Sequence, residues 1–312
     1  MLGICPGRKV IMEWEKQALD YFDENVIAGP HQIDMRRLYA EKLARAKNNT
    51  VVTEAEVKQT IKDYSDFFGE DMIKRVIECF TSGKGMPELP PTEKEGKPCL
   101  YQLETCHCKY FGCPSQIIDV REISQPLIDA LEDYHLTELL ADKSHGPLML
   151  HNKFTISISG CANVCTGGES KDMGIWGVQK PRINPKVKCA DCKKCFQACW
   201  DSAISFESAG KPIINEQLCK LCGACIKKCP TGTIQLEKQG YRIFVGGMFG
   251  RMYTIGREVF RMGERQDIFK TLDAVVNLIR EKQDGEHFLS QVVDKVGIGY
   301  INQQVFGGTK KH

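Results

Sequence analysis

Apolar positions recur at helical spacing through the first eighty residues. Trp14, Ala18 and Phe22 share one face of a first segment, and Leu38, Leu43 and Ala44 one face of a second. Thr53-Glu54-Ala55-Glu56 has the form of a capping box, threonine at the N-cap and glutamate three residues on, and predicts a third helix carrying Val57 and Ile61. A fourth is predicted through Met72, Ile73, Val76, Ile77 and Phe80. Residues 81–98 are rich in glycine, proline and charge with little to bury, and read as a linker. Beyond it the pattern is mixed. A helix fits Ser124–Tyr134, while Phe154, Ile156 and Ile158 alternate as in a half-buried strand, as do Tyr241, Ile243 and Val245 before Gly246-Gly247. A long helix follows with Ile268, Leu272, Val275, Val276 and Ile279 on its buried face, then a shorter one through Phe288, Val292 and Val296.

The expected organisation is α+β. A small helical domain spans 1–80, a linker 81–98, and an α/β domain 99–185 and 238–312, interrupted at 186–237 by a cysteine-dense insert.

The net charge of +2, from 42 Lys+Arg against 40 Asp+Glu, gives no case for nucleic acid or an anionic membrane as a bulk partner. No apolar run approaches membrane-spanning length, and Met1–Glu13 lacks the unbroken apolar core of a signal peptide. Sixteen cysteines change the picture. They are bunched in tight runs rather than spread as a disulfide framework, which predicts metal ligands in a soluble protein of a reducing cytoplasm.

The insert carries an internal repeat. Cys189, Cys192, Cys195 and Cys199 have the spacing C-x2-C-x2-C-x3-C, and Cys219, Cys222, Cys225 and Cys229 repeat it. Each run precedes a short strand candidate, Ala203–Phe206 and Thr233–Leu236. A [4Fe-4S] cube takes one thiolate per iron; such a run wraps three around one cube and lends its fourth to the other. The spacing thus predicts one cluster on Cys189, Cys192, Cys195 and Cys229, and a second on Cys219, Cys222, Cys225 and Cys199. Zinc would call for paired C-x2-C knuckles instead. Trp200 follows Cys199, where Pro230 follows Cys229.

A second constellation follows the strand at 154–158. Cys161 and Cys165 form C-x3-C, and about fifty residues upstream lie Cys106, Cys108 and Cys113. Together they offer a third cube four thiolates from five cysteines, with Cys106 and Cys108 as alternatives and His107 as an ordinary turn residue. Cys5, Cys79 and Cys99 fit no pattern; Cys79 reads as a buried hydrophobe, Cys99 as a remote substitute ligand.

Gly160-Cys161-Ala162-Asn163-Val164-Cys165, with Cys113-Pro114 before it and Phe244-Val245-Gly246-Gly247 after it, resembles the sirohaem-[4Fe-4S] domain of sulfite and nitrite reductases. The layout looks most like the C subunit of anaerobic sulfite reductase and the dissimilatory sulfite reductases, which also insert a two-cluster ferredoxin segment. The resemblance covers about residues 100–306. It implies that Cys165 bridges the third cube to sirohaem iron, and that Cys113 and Cys161 are cube ligands. Two departures stand out: His107 occupies the position of the family's first ligand, and the family's additional α/β domain, which supplies basic residues, is replaced by the helical segment. That segment loosely resembles the small C-terminal domain of the protochlorophyllide reductase B subunit through Trp14, Ala18-Leu19, Arg36-Arg37, Glu41, Ala44 and Val52-Thr53.

Sirohaem carries eight carboxylates, so cations are sought. Lys180, Arg182, Lys186, Arg251, Arg257 and Arg261 are candidates for it, and Lys94, Lys97 and Lys109 for the substrate anion; for each, a solvated surface charge is the plain alternative. Two functions follow from these residues. One is a sulfite- or nitrite-reductase-like subunit in which two ferredoxin clusters feed a third cube coupled to sirohaem. The other is a haem-free electron-transfer subunit of a larger complex. Either needs an electron donor protein, and a homodimer or paired subunit would restore the pseudo-twofold pairing of the family.

Overall fold

The computed structural model describes residues 12–26, 30–68, 99–106, 113, 115–208, 210–286 and 288–307. The fourth N-terminal helix, the linker and Cys5, Cys79, Cys108 and Lys109 lie outside the described residues. The chain divides into two compact units. One comprises residues 1–103, 128–155 and 276–295, the other 104–127, 156–275 and 296–312.

The first unit begins with β1 (Glu13–Trp14), α1 (Lys16–Asn25), α2 (Pro30–Ala46), β2 (Val51–Val52) and α3 (Glu54–Phe68). Strands β1 and β2 pair in parallel, Trp14 opposite Val52. Met12, Ala18, Phe22, Ala40, Ala44, Val52 and Val57 form an apolar core; the expected Ala18, Phe22, Ala44 and Val57 are in it, whereas Leu38 is buried outside this cluster and Leu43 is only half-buried. Trp14 meets Phe22 edge to face with ring centres 5.5 Å apart. The helices do not stand alone. Arg45 on α2 pairs with Asp142 at 3.3 Å, and the Tyr64 hydroxyl donates to the Leu148 carbonyl. The contacts from later in the chain come from α5 (Leu136–Lys143) and the residues after it; α4 (Arg121–Asp133) precedes α5.

The predicted capping box is present. The Thr53 N–H donates to Glu56 Oε2 at 3.0 Å and the Ala55 N–H to Thr53 Oγ1 at 3.3 Å. Lys47 adds an ion pair to Glu56 at 2.8 Å. Burial alone would raise the Glu56 carboxyl, but Lys47 and Thr53 bring it down to about 2. A carboxyl depressed on folding contributes stability that is full above about pH 4.3 and fades as pH falls toward 2. Glu56→Gln should therefore lower stability by about 2 kcal/mol at pH 7, and the gap from wild type should close between pH 5 and pH 2. Urea unfolding followed by circular dichroism checks this; a gap independent of pH would mean that the carboxylate charge is irrelevant.

The second unit is built on a five-stranded sheet. Its strands are β3 (Tyr101–Thr105), β4 (Phe154–Ser159), β5 (Met173–Ile183), β8 (Ile234–Val245) and β11 (Arg257–Gly263), in the order β11-β8-β5-β4-β3. Between them in sequence lie α6 (Lys194–Gln197), β6 (Ile204–Phe206), β7 (Pro212–Ile214), α7 (Ala224–Lys228), and the hairpin β9 (Met248–Phe249) and β10 (Tyr253–Thr254). Strand β4 runs parallel to β5, whereas β5–β8 and β8–β11 are antiparallel. Later in the sequence come helices α8 (Arg265–Lys282), α9 (Leu289–Val296) and α10 (Gly299–Phe306), of which residues 276–295 belong to the first unit; Ile268, Leu272, Val275, Val276 and Ile279 of α8 are all buried as its periodicity predicts.

Strands β5 and β8 set the position of the insert. Met173–Val178 and Ile243–Val245 are buried, whereas Lys180, Arg182 and Gln235–Gln239 face solvent or its edge. The pair therefore leaves the sheet as a two-stranded ribbon, Ile183 opposite Ile234, from whose end the cysteine repeat departs. The short strand expected at Thr233–Leu236 is the first part of this twelve-residue strand. Only Gln235–Gln239 lacks a core to face, and apolar alternation is confined to Tyr241–Val245.

Candidate metal centres

The two cysteine runs of the insert fold alike. Asp191 (φ 51°) and Lys193 (φ 57°) flank Cys192 in the left-handed region, and thirty residues on Leu221 (φ 60°) and Gly223 (φ 71°) flank Cys222. Ser202 (φ 52°) and Gly232 (φ 71°) recur three residues after the last cysteine of each run. Non-glycine residues adopt this backbone at a cost of about 1 kcal/mol or more each, and such repeated turns curl the chain into a concavity lined by N–H groups, as anion and iron–sulfur sites require. Helices α6 and α7 carry Cys195 and Cys225, and these pack with Ile204 and Ile234 into one small core that Cys199 and Cys229 also join.

Electrostatics sorts these thiols into groups. Burial pushes Cys195 up, and the neighbouring Cys229 and Cys189 push it further. Burial pushes Cys225 up to about 12, with Cys222, Cys219 and Cys199 adding to the effect. Cys229 thus neighbours Cys195 of the first run, and Cys199 neighbours Cys225 of the second. Cys199, Cys219, Cys222 and Cys225 line a pocket together with Ile204 and Ile214. Cys229 is opposed by burial, but hydrogen bonds from the Ile234 N–H, at 3.3 Å, and from Thr231 lower it, favouring the thiolate. The Ala203 N–H donates likewise to Cys199 at 3.2 Å. Gln179 of the ribbon grips the second run: its N–H donates to the Leu221 carbonyl at 2.7 Å, and a Cβ on Gly223 would lie 2.3 Å from its Oε1.

A third group forms at the carboxyl end of β4, where open α/β sheets present their sites. The connection to the parallel strand β5 is the turn 160–172 that bears Cys161 and Cys165, with Val164 at φ 47° and Gly167 at φ 65°. Cys106 ends β3; its N–H donates to the Ile158 carbonyl at 3.0 Å, and its sulfur accepts the Gly160 N–H at 3.1 Å. The Gly160 carbonyl accepts the N–H groups of Ile117 at 2.8 Å and Ile118 at 3.1 Å, which ties the segment after Cys113 to the same turn. Burial raises Cys161, and Cys165, Cys113 and Cys106 raise it further. Cys161 and Cys106 are buried and Cys165 is exposed. Cys99 is disulfide-bonded and so offers no thiolate.

A cube, with one thiolate per iron, asks for four thiols standing apart around it. The donor chemistry of each of the three groups, four thiols apiece, fits a [4Fe-4S] cluster.

The second and third groups meet a common apolar cluster. Trp176 of β5 stacks on Phe244 of β8 with ring centres 4.9 Å apart, and Val178 and Leu221 pack with them. Ala162 and Val164 of the Cys161 turn and Cys219 of the second run lie against it. Sequence reasoning missed Trp176 and Phe244 as site residues, although Phe244 stands in the quoted Gly-Gly strand. Lys180 pairs with Glu237 at 3.1 Å and Glu216 at 3.7 Å, Arg182 donates to Gln235, and Arg257 donates to the Ile255 carbonyl. Arg261 donates to the carbonyls of Glu216 at 2.7 Å and Cys219 at 2.6 Å. Lys186 is exposed, and Arg251 lies exposed at the tip of the β9–β10 hairpin beside Phe249 and Tyr253.

Residues 101–311 match the family described as nitrite and sulphite reductase 4Fe-4S domain. The chain is 34% identical over 156 residues to the coenzyme F420-dependent sulfite reductase of Methanocaldococcus jannaschii, covering 49% of this chain and 24% of that protein. It is 27% identical over 144 residues to the beta subunit of the dissimilatory-type sulfite reductase of Archaeoglobus fulgidus, covering 44% and 37%. It is 36% identical over 66 residues to the pyruvate synthase subunit PorD of Thermotoga maritima, covering 21% and 66%. The chain thus spans less than two thirds of the length of each of these relatives, two of which are named as subunits. No helix among the described residues is long and apolar enough to cross a membrane.

Proposed function

The chain belongs to the nitrite and sulphite reductase 4Fe-4S domain family, and we propose that it is an iron–sulfur oxidoreductase subunit in which three cubes carry electrons in a fixed order. One cube is held by Cys189, Cys192, Cys195 and Cys229, the next by Cys199, Cys219, Cys222 and Cys225, and the last by Cys106, Cys113, Cys161 and Cys165. The observation that carries this order is the shared packing of Cys219 and of the Cys161 turn against Trp176 and Phe244. It makes the Cys219 group the neighbour of the third site. The cube through Cys189 is then the outer one.

Cys165 is the exposed thiol of the third group, which supports giving it the bridge to a second metal centre. Sirohaem, when bound, supplies the Lewis-acid iron that takes sulfite or nitrite. The chain's own contribution is to hold the cube beside it and to keep water from Cys161 and Cys106, both buried. A haem-free subunit that relays electrons to a larger partner is the second reading. The engagement of Lys180, Arg182, Arg257 and Arg261 with groups of the chain itself favours it.

An anaerobic absorption spectrum with an iron and sulfide count separates these readings. About twelve irons and twelve sulfides without a haem band supports the relay, and a Soret band with iron exceeding sulfide by about one supports the reductase. About eight of each would remove the third cube.

A further inference from the structure

Lysines are distributed unevenly over the insert. Lys188 precedes Cys189, Lys193 and Lys194 lie between Cys192 and Cys195, and Lys227 and Lys228 precede Cys229; all five flank cysteines of the outer group. Lys188, Lys194, Lys227 and Lys228 are exposed, and so is Cys192 itself. Asp191 is the acid among them and is bound to Lys193 at 2.6 Å. Around the second group the pattern differs. Lys220 lies beside Cys219 and Lys227 is shared with Cys225, while Asp201 lines the pocket and Glu216 pairs with Lys180. The lysine-ringed group also presents an apolar centre. Phe196, directly after Cys195, is half exposed, and its ring lies 6.3 Å from that of Phe206, over which Lys193 stands at 3.8 Å.

We propose that this face, Phe196 surrounded by Lys188, Lys193, Lys194, Lys227 and Lys228, docks a small acidic one-electron carrier protein that reduces the outer cube. An aromatic centre with a charged rim is how interfaces combine contact with steering, and a single-sign rim raises the encounter rate with a carrier of opposite sign. A chain of net charge +2 has no reason of bulk solubility to gather five cations about one metal site. In the step itself the reduced carrier loses one electron and is oxidised, and the outer cube gains it, passing from the 2+ to the 1+ state with no bond made and no proton moved. The proposal rests on the reading that Cys189, Cys192, Cys195 and Cys229 hold a cube.

The test uses the full-length, cluster-loaded protein and a reduced acidic [2Fe-2S] ferredoxin, followed by stopped-flow bleaching of the cluster absorbance. The wild-type second-order rate should fall as salt is raised from about 10 mM to 500 mM, over which screening shortens from about 30 Å to a few Å. K188E/K194E/K228E should reduce at least tenfold more slowly at low salt and reverse the salt dependence. A variant with the same charge change elsewhere, K16E/K62E/K270E, should behave as wild type. Reduction by the uncharged 5-deazariboflavin radical should be the same in all three proteins. Equal ferredoxin rates in K188E/K194E/K228E and wild type, with full iron content in both, would overturn the docking face while leaving the cube assignment intact. An iron count short by one cube in wild type would overturn the assignment first.

Discussion

Alanine in place of Cys161 should cost each chain about four irons and four sulfides and leave about eight of each, because it removes a buried ligand of one cube only. Cys161 sits at the centre of its group, with Cys106, Cys113 and Cys165 all close enough to raise its thiol. No other cysteine among the described residues stands ready to replace it. Cys99 is disulfide-bonded, and the remaining thiols belong to the insert. The loss should be selective, since Cys161 contributes nothing to the small core of Cys195, Cys225, Ile204 and Ile234 that holds the insert together. Carrier-driven bleaching of the remaining clusters should persist, while any reduction of sulfite or nitrite should fall below a hundredth of the wild-type rate. The companion variant Cys225→Ala should remove a different four irons and break the relay before the third cube. Iron and sulfide analysis with low-temperature electron paramagnetic resonance reads both. Loss of all twelve irons from Cys161→Ala would show that the clusters fold as one unit and that the three groups are not independent.

Much of this was legible because spacing alone fixes ligand chemistry. The tandem C-x2-C-x2-C-x3-C run implies a crossed grouping without knowledge of the fold, and the nearness of Cys229 to Cys195 and of Cys199 to Cys225 supports that proposal. The helices with an apolar stripe, α1, α3 and α8, were legible for the same reason: their periodicity reports a face that must be buried. Strand β5 was not. Met173–Val178 is buried on both sides between β4 and β8, so it shows no alternation, and its two glycines weaken the apolar run that would otherwise mark it. The role of Trp176 and Phe244 was hidden with it. The choice between Cys106 and Cys108 could not be made from sequence, since spacings of six and four intervening residues to Cys113 are equally compatible with a loop. Cys106 stands after the end of β3, hydrogen-bonded into the Cys161 turn, which supports its place in the proposed third site; Cys108 lies outside the described residues.

The glycines of β5 lead to the second large effect. Gly177 lies in the middle of the sheet, where glycine ordinarily weakens a strand and is retained for a close backbone approach. A Cβ there would lie 2.7 Å from the Gly160 carbonyl oxygen and 2.9 Å from Ile118 Cγ1. The first of these atoms is backbone and cannot swing aside. It is also the acceptor for Ile117 and Ile118, so whatever moves it moves the segment after Cys113 together with the turn before Cys161. Gly177→Ala should therefore destabilise the second unit by about 3 kcal/mol, as overpacking against fixed backbone does, and should empty the third cluster while the eight irons of the insert stay. Ile156→Val, a truncation of a buried side chain on neighbouring β4 that brings no new atom against backbone, should keep all three clusters and marks the difference between a generally weakened sheet and a displaced turn. Thermal unfolding with iron analysis, and hydrogen exchange at the amides of Ile117 and Ile118, supply the readout. A Gly177→Ala protein with its full complement of iron and protected amides at those two positions would mean that the Gly160 carbonyl does not couple the two halves of the site.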